Sequence, residues 1–561
     1  MNLAEYLFHR LRGLGVGHTF GIPGDFVLPV YAVQESVGFP TVVCCHEPGV
    51  GFAADAYARL RGLGVALVTY GPGALNTLNP VACAYAEQSP LLIVSGGPEV
   101  SLRRGDQEVH LHHVVKTYES QLQIFREVTV DAAILDDAAE APKLIDRVLR
   151  NVVLRKRPGY LEIPRDRVRA EISPPSGDPA VEPATAARAA RSDALEEVVG
   201  EITAMLAAAR RPAMHVGVGV RRHGLTAQVV ELAERLNLPV ATDVLGKASF
   251  PESHPQFAGV YMGALGDPSV RTLLDESDCV LGIGVVRTDL GTGFWTERIN
   301  PRTRILVDPE SVRVRFHRYD GLSIGEVVEA ILERSPHRPP PTSGAVPTPS
   351  GAPGTPGPAV PRSGRPGDPL RVADVLSALR GLDPSRYSFT ADVGDAWFIG
   401  LELRTEVFLA AGYYASMGFA VPGALGAGIA DPTRRPFAIV GDGAFQMTGT
   451  ELATMVDQGL RPIVLLLNNS GYGMLEAIDR PAAPYVRRSW DYPLLARSLG
   501  AAAERVTRPQ ELLDALGRAE ASPCAYLIEA VTARDDLSPV MARIRSLVHQ
   551  RPPGPAPTDG P

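Results

Sequence analysis

The sequence predicts an α/β protein made of three doubly wound domains, each built around a parallel β-sheet. Its 561 residues are too many for a single hydrophobic core. Continuous apolar runs of strand length alternate with amphipathic helical patterns along the chain, which is typical of parallel sheets covered on both faces. Two segments rich in proline and small residues separate three blocks of ordinary domain size.

These composition breaks set the predicted domain boundaries. The most pronounced break, "PHRPPPTSGAVPTPSGAPGTPGPAVPRSGRPGDP", has too little apolar surface to fold on its own. The chain is therefore expected to divide into a first domain (1–172), a linker (173–190), a central domain (191–335), a Pro-rich linker (336–369), a third domain (370–549) and a disordered tail (550–561).

Each block has its own strand candidates. The first block contains "PTVVCC", "GVALVTYG" and "PLLIVSGG", the second "AMHVGVGV", "CVLGIGV" and "RILVDP", and the third "RPFAIVGDG" and "RPIVLLLNN". Ligands in open parallel sheets bind beyond the carboxyl ends of the strands. Candidate site residues are therefore sought directly after these runs.

The overall composition limits the classes of function. Apolar residues make up 45% and charged residues 21% of the chain, with a net charge of −8, which argues against nucleic acid or an anionic membrane as the main partner. The five cysteines contain no CxxC pair, which favours a reducing compartment. The start, "MNLAEYLFHRLRGLG", has the pattern of an amphipathic helix and not that of a signal peptide. A cytoplasmic protein is expected.

Two oxygen-bearing side chains follow successive strands of the third block. Asp442 lies in the glycine turn of "FAIVGDGAF", and Asn469 ends the next strand, "IVLLLNN". Magnesium prefers oxygen ligands, and glycine lets a phosphate approach the backbone closely. A single GDG triplet is weak, but GDG and NN after two buried strands predict a magnesium and diphosphate site.

The first block holds further candidates that allow more than one interpretation. Glu47 in "CCHEPGVGF" follows a strand and is either a helix-start carboxylate or a buried acid. Asp25 in "GIPGDF" has the context of a turn or a helix cap. The pair His112 and His113 in "VHLHHVVK" is compatible with a metal site, an exposed patch or a proton relay, since imidazole titrates near neutrality.

Taken together, "GIPGDFVLPV", "GFAADAYAR", "LHH", "YLEIPRD", "GYYASMGFAVP" and GDG…NN resemble the thiamine diphosphate (ThDP) enzymes. The histidine pair makes the chain similar to the 2-oxo acid decarboxylases, closest to the bacterial phenylpyruvate and indolepyruvate decarboxylases. The resemblance covers nearly the whole chain except the Pro-rich linker and the tail. It implies an aminopyrimidine-binding (PYR) domain, a central Rossmann-like domain and a diphosphate-binding (PP) domain.

The same resemblance implies roles for individual residues. Glu47 is expected to bind the aminopyrimidine ring and promote formation of the thiazolium ylide, and Asp25, His112 and His113 are expected to form a proton relay. The remaining implied roles are metal binding by Asp442, Asn469 and the carbonyl group of Gly471, cofactor contact by Gly443, Asp395 and the wedge residue Met417, and a place for Asp289 in the substrate pocket.

One position departs from the pattern of pyruvate decarboxylases. Many of these enzymes read "NNxGYTxE", with a catalytic glutamate six residues after the second asparagine. In "NNSGYGMLE" that position is Leu475, and Glu476 follows it. Neighbouring residues of a helix point about 100° apart. Leu475 is therefore expected to line the substrate pocket and Glu476 to face away from it, which favours aryl substituents over pyruvate.

The predicted activity is non-oxidative decarboxylation of a 2-oxo acid, preferably an aryl pyruvate, to an aldehyde and CO₂, with ThDP and Mg²⁺ as cofactors. A homodimer or homotetramer is expected, with active sites at the subunit interface and no nucleic acid or membrane partner. A ThDP-dependent carboligase uses the same residues and is the nearest competing activity. A flavin-linked oxidase and an inactive relative of the family are more distant candidates. The inactive relative is expected to lack Glu47 or Asp442, and both are present.

Overall fold

The computed structural model describes residues 1–104, 110–173, 185–339, 367–479, 486 and 488–550. Within them the chain forms three α/β domains, which confirms the predicted fold class. Most of the expected linker 336–369 and the tail after residue 550 lie outside the described residues. Residues 174–184 of the expected linker 173–190 also lie outside the described residues. The last part of that expected linker is helical, because a helix begins at Thr185. The described helices include none that is long and apolar enough to cross a bilayer.

The N-terminal domain is an entirely parallel six-stranded sheet. Its strands are β1 (Thr19–Gly21), β2 (Thr41–Val43), β3 (Gly64–Val68), β4 (Leu91–Gly97), β5 (Asp131–Ile134) and β6 (Gly159–Pro164), in the order β2-β1-β3-β4-β6-β5. Its helices are α1 (Leu3–Gly13), α2 (Leu28–Ser36), α3 (Glu47–Arg61), α4 (Pro72–Asn76), α5 (Leu78–Ala86), α6 (Val100–Arg104), α7 (Ser120–Arg126) and α8 (Ala141–Arg155). Strands β3, β4 and β6 are buried throughout because helices cover both faces of the sheet.

The central domain has a seven-stranded sheet. Its strands are β7 (Pro212–Val216), β8 (Val240–Thr242), β9 (Phe257–Val260), β10 (Cys279–Ile283), β11 (Arg304–Val307), β12 (Ser311–Val314) and β13 (His317–Asp320), in the order β13-β12-β11-β10-β7-β8-β9. Its helices are α9 (Thr185–Ala208), α10 (Val218–Arg222), α11 (Thr226–Leu236), α12 (Pro268–Asp275) and α13 (Ile324–Arg334). The sheet is not wholly parallel as predicted, because β12 pairs antiparallel with β11 and β13. Only Arg315 and Phe316 join β12 to β13, and so short a connection requires antiparallel pairing.

The C-terminal domain repeats the strand order of the N-terminal domain. Its strands are β14 (Tyr387–Ala391), β15 (Phe408–Ala410), β16 (Arg435–Gly441), β17 (Ile463–Asn468), β18 (Ala502–Val506) and β19 (Tyr526–Val531), all parallel, in the order β15-β14-β16-β17-β19-β18. Its helices are α14 (Val372–Leu379), α15 (Asp395–Glu402), α16 (Ala420–Ala430), α17 (Asp442–Thr448), α18 (Glu451–Asp457), α19 (Gly473–Ile478), α20 (Tyr492–Ser498), α21 (Pro509–Ala521) and α22 (Pro539–Gln550).

The N- and C-terminal domains share one hydrophobic core, in which α3 packs against α16. Helix α16, "AVPGALGAGIA", consists largely of small residues. A Cβ atom added at Gly426 would lie 2.0 Å from the carbonyl oxygen of Ala53 on α3. The two helices can therefore approach this closely only because position 426 is glycine.

A buried ionic cluster ties the N-terminal domain to the loop that leads into α16. The guanidinium group of Arg59 lies 2.7 Å from a carboxylate oxygen of Asp55 and 3.0 Å from one of Glu87. Glu87 in turn accepts hydrogen bonds of 2.8 and 3.0 Å from the backbone N–H groups of Tyr413 and Tyr414. Because buried charges are stable only when paired, this cluster fixes the loop in one position.

Candidate active site

Glu47 is the first residue of α3 and lies just after β2. Its side chain is 20% exposed, and Oε2 accepts a hydrogen bond of 2.9 Å from the side-chain amide of Asn76. The same amide nitrogen lies 2.8 Å from Nε2 of His46. Among the described residues, Oε1 of Glu47 accepts no hydrogen bond. Glu47 is therefore fixed through one oxygen, and the other can bind a ligand.

Asp25, His112 and His113 lie together, as the relay prediction requires. Oδ2 of Asp25 is 2.7 Å from Nε2 of His112, and Oδ1 is 3.9 Å from Nδ1 of His113. The ring of the buried Phe26 lies 5.1 Å from that of His112 and 5.6 Å from that of His113, centroid to centroid. The hydroxyl group of Thr69 donates a 3.3 Å hydrogen bond to Asp25.

The charge state of Asp25 follows from these contacts. Partial burial alone would raise the pKa of Asp25. The hydrogen bond with His112 and the nearby charge of His113 outweigh burial and hold that pKa below its usual range. Asp25 is thus a carboxylate that can stabilise a protonated imidazole.

Asp442 and Asn469 lie at the same edge of the C-terminal sheet, where the carboxyl ends of two neighbouring strands meet. Strands β16 and β17 are parallel neighbours in which Gly441 pairs with Leu467, so Asp442 follows one strand and Asn469 the other. Asp442 is buried at the first position of α17. The side-chain oxygen of Asn469 accepts a hydrogen bond of 3.1 Å from the N–H group of Gly471, which forms a tight turn.

These residues suit a magnesium ion and a diphosphate group. The donors are a carboxylate, a side-chain amide and a backbone carbonyl, all oxygen atoms, which is the donor type that Mg²⁺ prefers. At Gly441, the residue before α17, a Cβ atom would meet no described atom within 4 Å. The backbone at the start of α17 is therefore open to an approaching anion.

Met417 lies beside the GDG turn. Its Cε atom would be 3.5 Å from a Cβ atom placed on Gly443, and the ring of Tyr472 would be closer still, at 2.5 Å. The turn after Met417 is held by Asp392, whose oxygens accept hydrogen bonds of about 3.0 Å from the N–H groups of Gly418 and Ala420. Burial raises the pKa of Asp392 to about 6. Met417 is thus fixed beside the glycine turn that contains Asp442 and Gly443.

Two other predicted residues have local partners. Asp395 begins α15, and its Oδ1 accepts a 3.2 Å hydrogen bond from the N–H group of Ser538. Burial raises the pKa of Asp395 to about 6. Asp289 is exposed in the loop after β10, where its Oδ1 accepts a 2.8 Å hydrogen bond from the N–H group of Leu290. Within the described residues, Asp289 has no side-chain hydrogen bond with another site candidate.

Helix α19 places Leu475 and Glu476 in different environments. Leu475 is 44% exposed, whereas Glu476 is only 12% exposed. Both carboxylate oxygens of Glu476 accept hydrogen bonds from Nε of Arg534, at 2.8 and 3.0 Å. Arg534 belongs to the segment between β19 and α22. Glu476 is therefore bound to the C-terminal segment through Arg534, while the side chain of Leu475 remains exposed.

Glu451 is a site neighbour that sequence reasoning missed. It is 1% exposed on α18, and one of its oxygens accepts hydrogen bonds from the N–H groups of Cys45 and His46, at 3.1 and 3.2 Å. These two residues directly precede Glu47. Burial raises the pKa of Glu451. The only sequence signal was its place one short helix after Asp442, which does not reveal a contact more than 400 positions away.

The candidate residues form two groups within one chain. The side-chain hydrogen bonds and ion pairs that Glu47, Asp25, His112 and His113 make with described residues all stay within the N-terminal domain. Asp442, Asn469, Met417 and α19 belong to the C-terminal domain. The first set is a candidate acid–base group and the second a candidate metal-binding group, and they lie on separate domains.

Three family models match the chain, one for each domain. They describe thiamine pyrophosphate enzymes: the N-terminal TPP binding domain matches residues 1–123, the central domain 199–334 and the C-terminal TPP binding domain 393–530. Thiamine pyrophosphate and thiamine diphosphate are the same compound.

Curated proteins are similar over nearly the whole chain. Indole-3-pyruvate decarboxylase of Azospirillum brasilense is 38% identical over 97% of both chains. An alpha-keto-acid decarboxylase of Mycobacterium avium is 32% identical over 97% of this chain and 96% of its own. Pyruvate decarboxylase isozyme 1 of Saccharomyces cerevisiae is 28% identical over 89% of each chain.

Proposed function

The chain belongs to the thiamine diphosphate enzymes, among the 2-oxo acid decarboxylases, and from this membership we propose that it converts aryl-substituted pyruvates to an aldehyde and CO₂. Phenylpyruvate and indolepyruvate are the substrates that fit best. The observation that carries this preference is the orientation of α19, which leaves Leu475 open and binds Glu476 to Arg534.

Thiamine diphosphate, when bound, supplies the electron sink that lets the carboxylate group of a 2-oxo acid leave as CO₂. We assign its aminopyrimidine ring to Glu47, whose Oε1 is available while Asn76 holds Oε2. Mg²⁺ would be held by Asp442, Asn469 and the carbonyl group of Gly471. The all-oxygen donor set at neighbouring strand ends supports this assignment.

The relay residues hold and move the proton that replaces the carboxylate group. Asp25, which the fold keeps ionised, lies beside His112 and His113 and can stabilise a proton that they carry. With Leu475 in place of a carboxylate, we assign this step to the three relay residues.

Leu475 forms the apolar wall of the substrate site in this proposal. An apolar surface disfavours the substrate carboxylate more than the charge-dispersed transition state, which assists the loss of CO₂. It also leaves apolar surface on which an aromatic ring can pack. Met417, Gly443 and Asp395 would line the cofactor, and Asp289 would approach the substrate from the central domain.

A second copy of the chain would complete each active site. The acid–base group and the metal-binding group lie on separate domains, so a dimer can place the N-terminal domain of one copy against the C-terminal domain of the other. Tyr413, Tyr414 and Met447, near Met417 and Asp442 in the chain, are 42%, 41% and 49% exposed. Exposed side chains of this kind support a homodimer, or a homotetramer built from dimers.

We also place the protein in the cytoplasm. All five cysteines are free thiols, and Cys45 is exposed just before Glu47. Free thiols persist in a reducing compartment.

The experiment is to measure CO₂ and aldehyde release from phenylpyruvate, indolepyruvate and pyruvate by the full-length protein with ThDP and Mg²⁺. We expect kcat/KM for the aryl substrates to exceed that for pyruvate by about tenfold or more, because a shape-matched apolar pocket discriminates on this order. Asp442→Asn is the control and should lose CO₂ release together with Mg²⁺-dependent ThDP binding.

Each other outcome rejects a defined part of the proposal. A preference for pyruvate would reject Leu475 as the wall that selects aryl substrates. An acyloin as the main product, in place of the aldehyde, would identify a carboligase. ThDP binding without CO₂ release from any of the three acids would reject the substrate class.

A further inference from the structure

His112 and His113 lie in the described segment 110–119 before α7, and a buried polar cluster contacts both α6 and α7. Arg103 on α6 forms an ion pair with Glu162 of β6. Gln121 on α7 donates a 2.6 Å hydrogen bond to the hydroxyl group of Tyr160, which donates one of 2.7 Å to Glu162. Helices α6 and α7 are therefore joined through one tyrosine–glutamate pair.

This cluster lies in the interior of the domain. Gln121 is 1% exposed, and Tyr160, Glu162 and Ser95 are 0% exposed. Burial raises the pKa of Glu162, and the charge of Arg103 partly offsets this effect. Buried polar groups are costly unless each finds a partner, and here the amide group of Gln121 also donates to Ser95, at 3.1 Å. These satisfied polar groups fix the side chain of Gln121 at the start of α7.

Gln121 also contacts Gly71, the glycine that packs against His113. Its Oε1 accepts a hydrogen bond of 2.7 Å from the N–H group of Gly71. Gly71 has φ +69°, and a Cβ atom there would lie 2.6 Å from the carbonyl oxygen and 2.7 Å from the Cβ atom of His113. His113 itself has φ +71°, an uncommon value for a residue with a side chain. The backbone of His113 thus packs directly against Gly71, whose N–H group donates a hydrogen bond to Gln121.

We propose that Gln121 is a positioning residue for the proton relay, acting on His113 through Gly71, while Tyr160 and Glu162 fix the position of Gln121 itself. This inference rests on the proposed role of Asp25, His112 and His113 in the decarboxylase. Among the described residues, the side chain of Gln121 hydrogen-bonds to Gly71, Ser95 and Tyr160 and to none of the relay residues, so it acts through its neighbours.

The test compares Gln121→Leu with Gln34→Leu in the full-length enzyme loaded with ThDP and Mg²⁺. Gln34 is a matched control: it is 2% exposed in the same domain, and its amide group donates a 2.7 Å hydrogen bond to Thr19. Both changes remove a buried amide group, but only Gln121 contacts Gly71. A purely structural loss would affect both variants alike.

We expect Gln121→Leu to lower kcat for phenylpyruvate by roughly 10- to 100-fold, since a displacement of about 1 Å in a reacting group has effects of this size. KM and ThDP affinity should change little, because the substrate wall and the cofactor residues are untouched. The acid limb of the kcat–pH profile should move to higher pH, because displacement of His113 removes a charge that lowers the pKa of Asp25. Gln34→Leu should keep the wild-type profile.

Equal losses of kcat in the two variants, or an unchanged pH profile in Gln121→Leu, would overturn the proposal. If Gln121→Leu does not fold, Tyr160→Phe replaces it, since this change removes one partner of Gln121 and leaves Gly71 untouched. A smaller loss of kcat with the same direction of pH shift is then expected, and a wild-type profile would overturn the proposal.

A crystal structure of Gln121→Leu separates this proposal from the proposed function. If the wild-type protein releases no CO₂ from any 2-oxo acid, the function fails, but the distance between His113 and Asp25 still tests the positioning role. A longer distance than in the wild type supports it, and an unchanged distance rejects it.

Discussion

Several candidate catalytic side chains depend on neighbours outside the motifs that predict them. Asn76 donates a hydrogen bond to Glu47, Thr69 donates one to Asp25, and Gln121 accepts one from Gly71, which packs against His113. Asparagine, threonine and glutamine are common in turns and helix ends, so their sequence context carries no signal. Their roles arise only when the fold brings separate strand ends together.

The first prediction concerns pH. The fold lowers the pKa of Asp25, so its ionised form is favoured above the ordinary carboxyl pKa and is lost only as pH falls through the lowered value. His112→Gln removes the closest cationic partner and should raise the pKa of Asp25. The acid limb of kcat should therefore move to higher pH, measured as CO₂ release from phenylpyruvate from about pH 3 to pH 8.

Thr69→Val is the control for this prediction. It removes a longer hydrogen bond, of 3.3 Å, and leaves both histidines in place. Its acid limb should remain close to that of the wild type. An acid limb that does not move in His112→Gln would contradict the assignment of Asp25 and His112 to one relay.

Helix α19 gives neighbouring side chains different environments. Successive residues of a helix point about 100° apart, so Leu475 is exposed whereas Glu476 faces the C-terminal segment. The sequence predicted that Leu475 and Glu476 point in different directions. It did not indicate that Arg534 would bind Glu476, because Arg534 lies 58 positions further along the chain.

Exchanges at these two neighbouring positions should have opposite outcomes. Leu475→Glu should lower kcat/KM for phenylpyruvate by about tenfold or more, because it places an unpaired carboxylate where the aromatic ring packs. It should affect pyruvate less. Glu476→Gln should keep both values within about threefold, because amide oxygen and nitrogen can still occupy the place beside Arg534. The reverse pattern, measured by steady-state CO₂ release, would show that Glu476 faces the substrate.

The close contact between α3 and α16 gives a prediction about stability. Gly426→Ala should destabilise the protein by roughly 1–3 kcal/mol, because the new Cβ atom meets the carbonyl oxygen of Ala53. Gly517→Ala on α21 is the matched control, since its Cβ atom would meet no described atom within 4 Å. Alanine favours helices over glycine, so the control should be neutral or slightly stabilising. Thermal unfolding measures both, and equal Tm values would contradict this packing.

The whole molecule contains two sheets with the same strand order, one in the N-terminal and one in the C-terminal domain. The two domains are joined through a shared hydrophobic core. The N- and C-terminal sheets have the same strand order, and the helices α3 and α16 pack between them. Glu87 and Glu451 extend this junction with buried hydrogen bonds that cross from one domain to the other. The acid–base group and the metal-binding group are thus fixed relative to one another within each chain.

The sequence predicted those parts of this architecture that depend on local patterns. Apolar runs marked the buried strands, and polar residues at their ends marked Glu47, Asp442 and Asn469. The antiparallel hairpin of the central sheet was missed, because β12 alternates polar and apolar residues and β13 is polar, so neither has the continuous apolar run that marks a buried strand. Contacts across domains, such as that of Glu451 with the residues before Glu47, were also missed, since they depend on how whole sheets pack.

We propose that Glu47 of one copy and the Asp442–Asn469 edge of another build one decarboxylation site. The most direct test is to co-express Glu47→Gln and Asp442→Asn with different tags and purify the mixed oligomer through both tags. Each variant alone should be nearly inactive. In the mixed dimer one of the two sites is intact, so CO₂ release from phenylpyruvate should recover to roughly a quarter to a half of the wild-type rate. A mixed oligomer that stays inactive, although wild-type protein carrying the same tags is active, would contradict the claim.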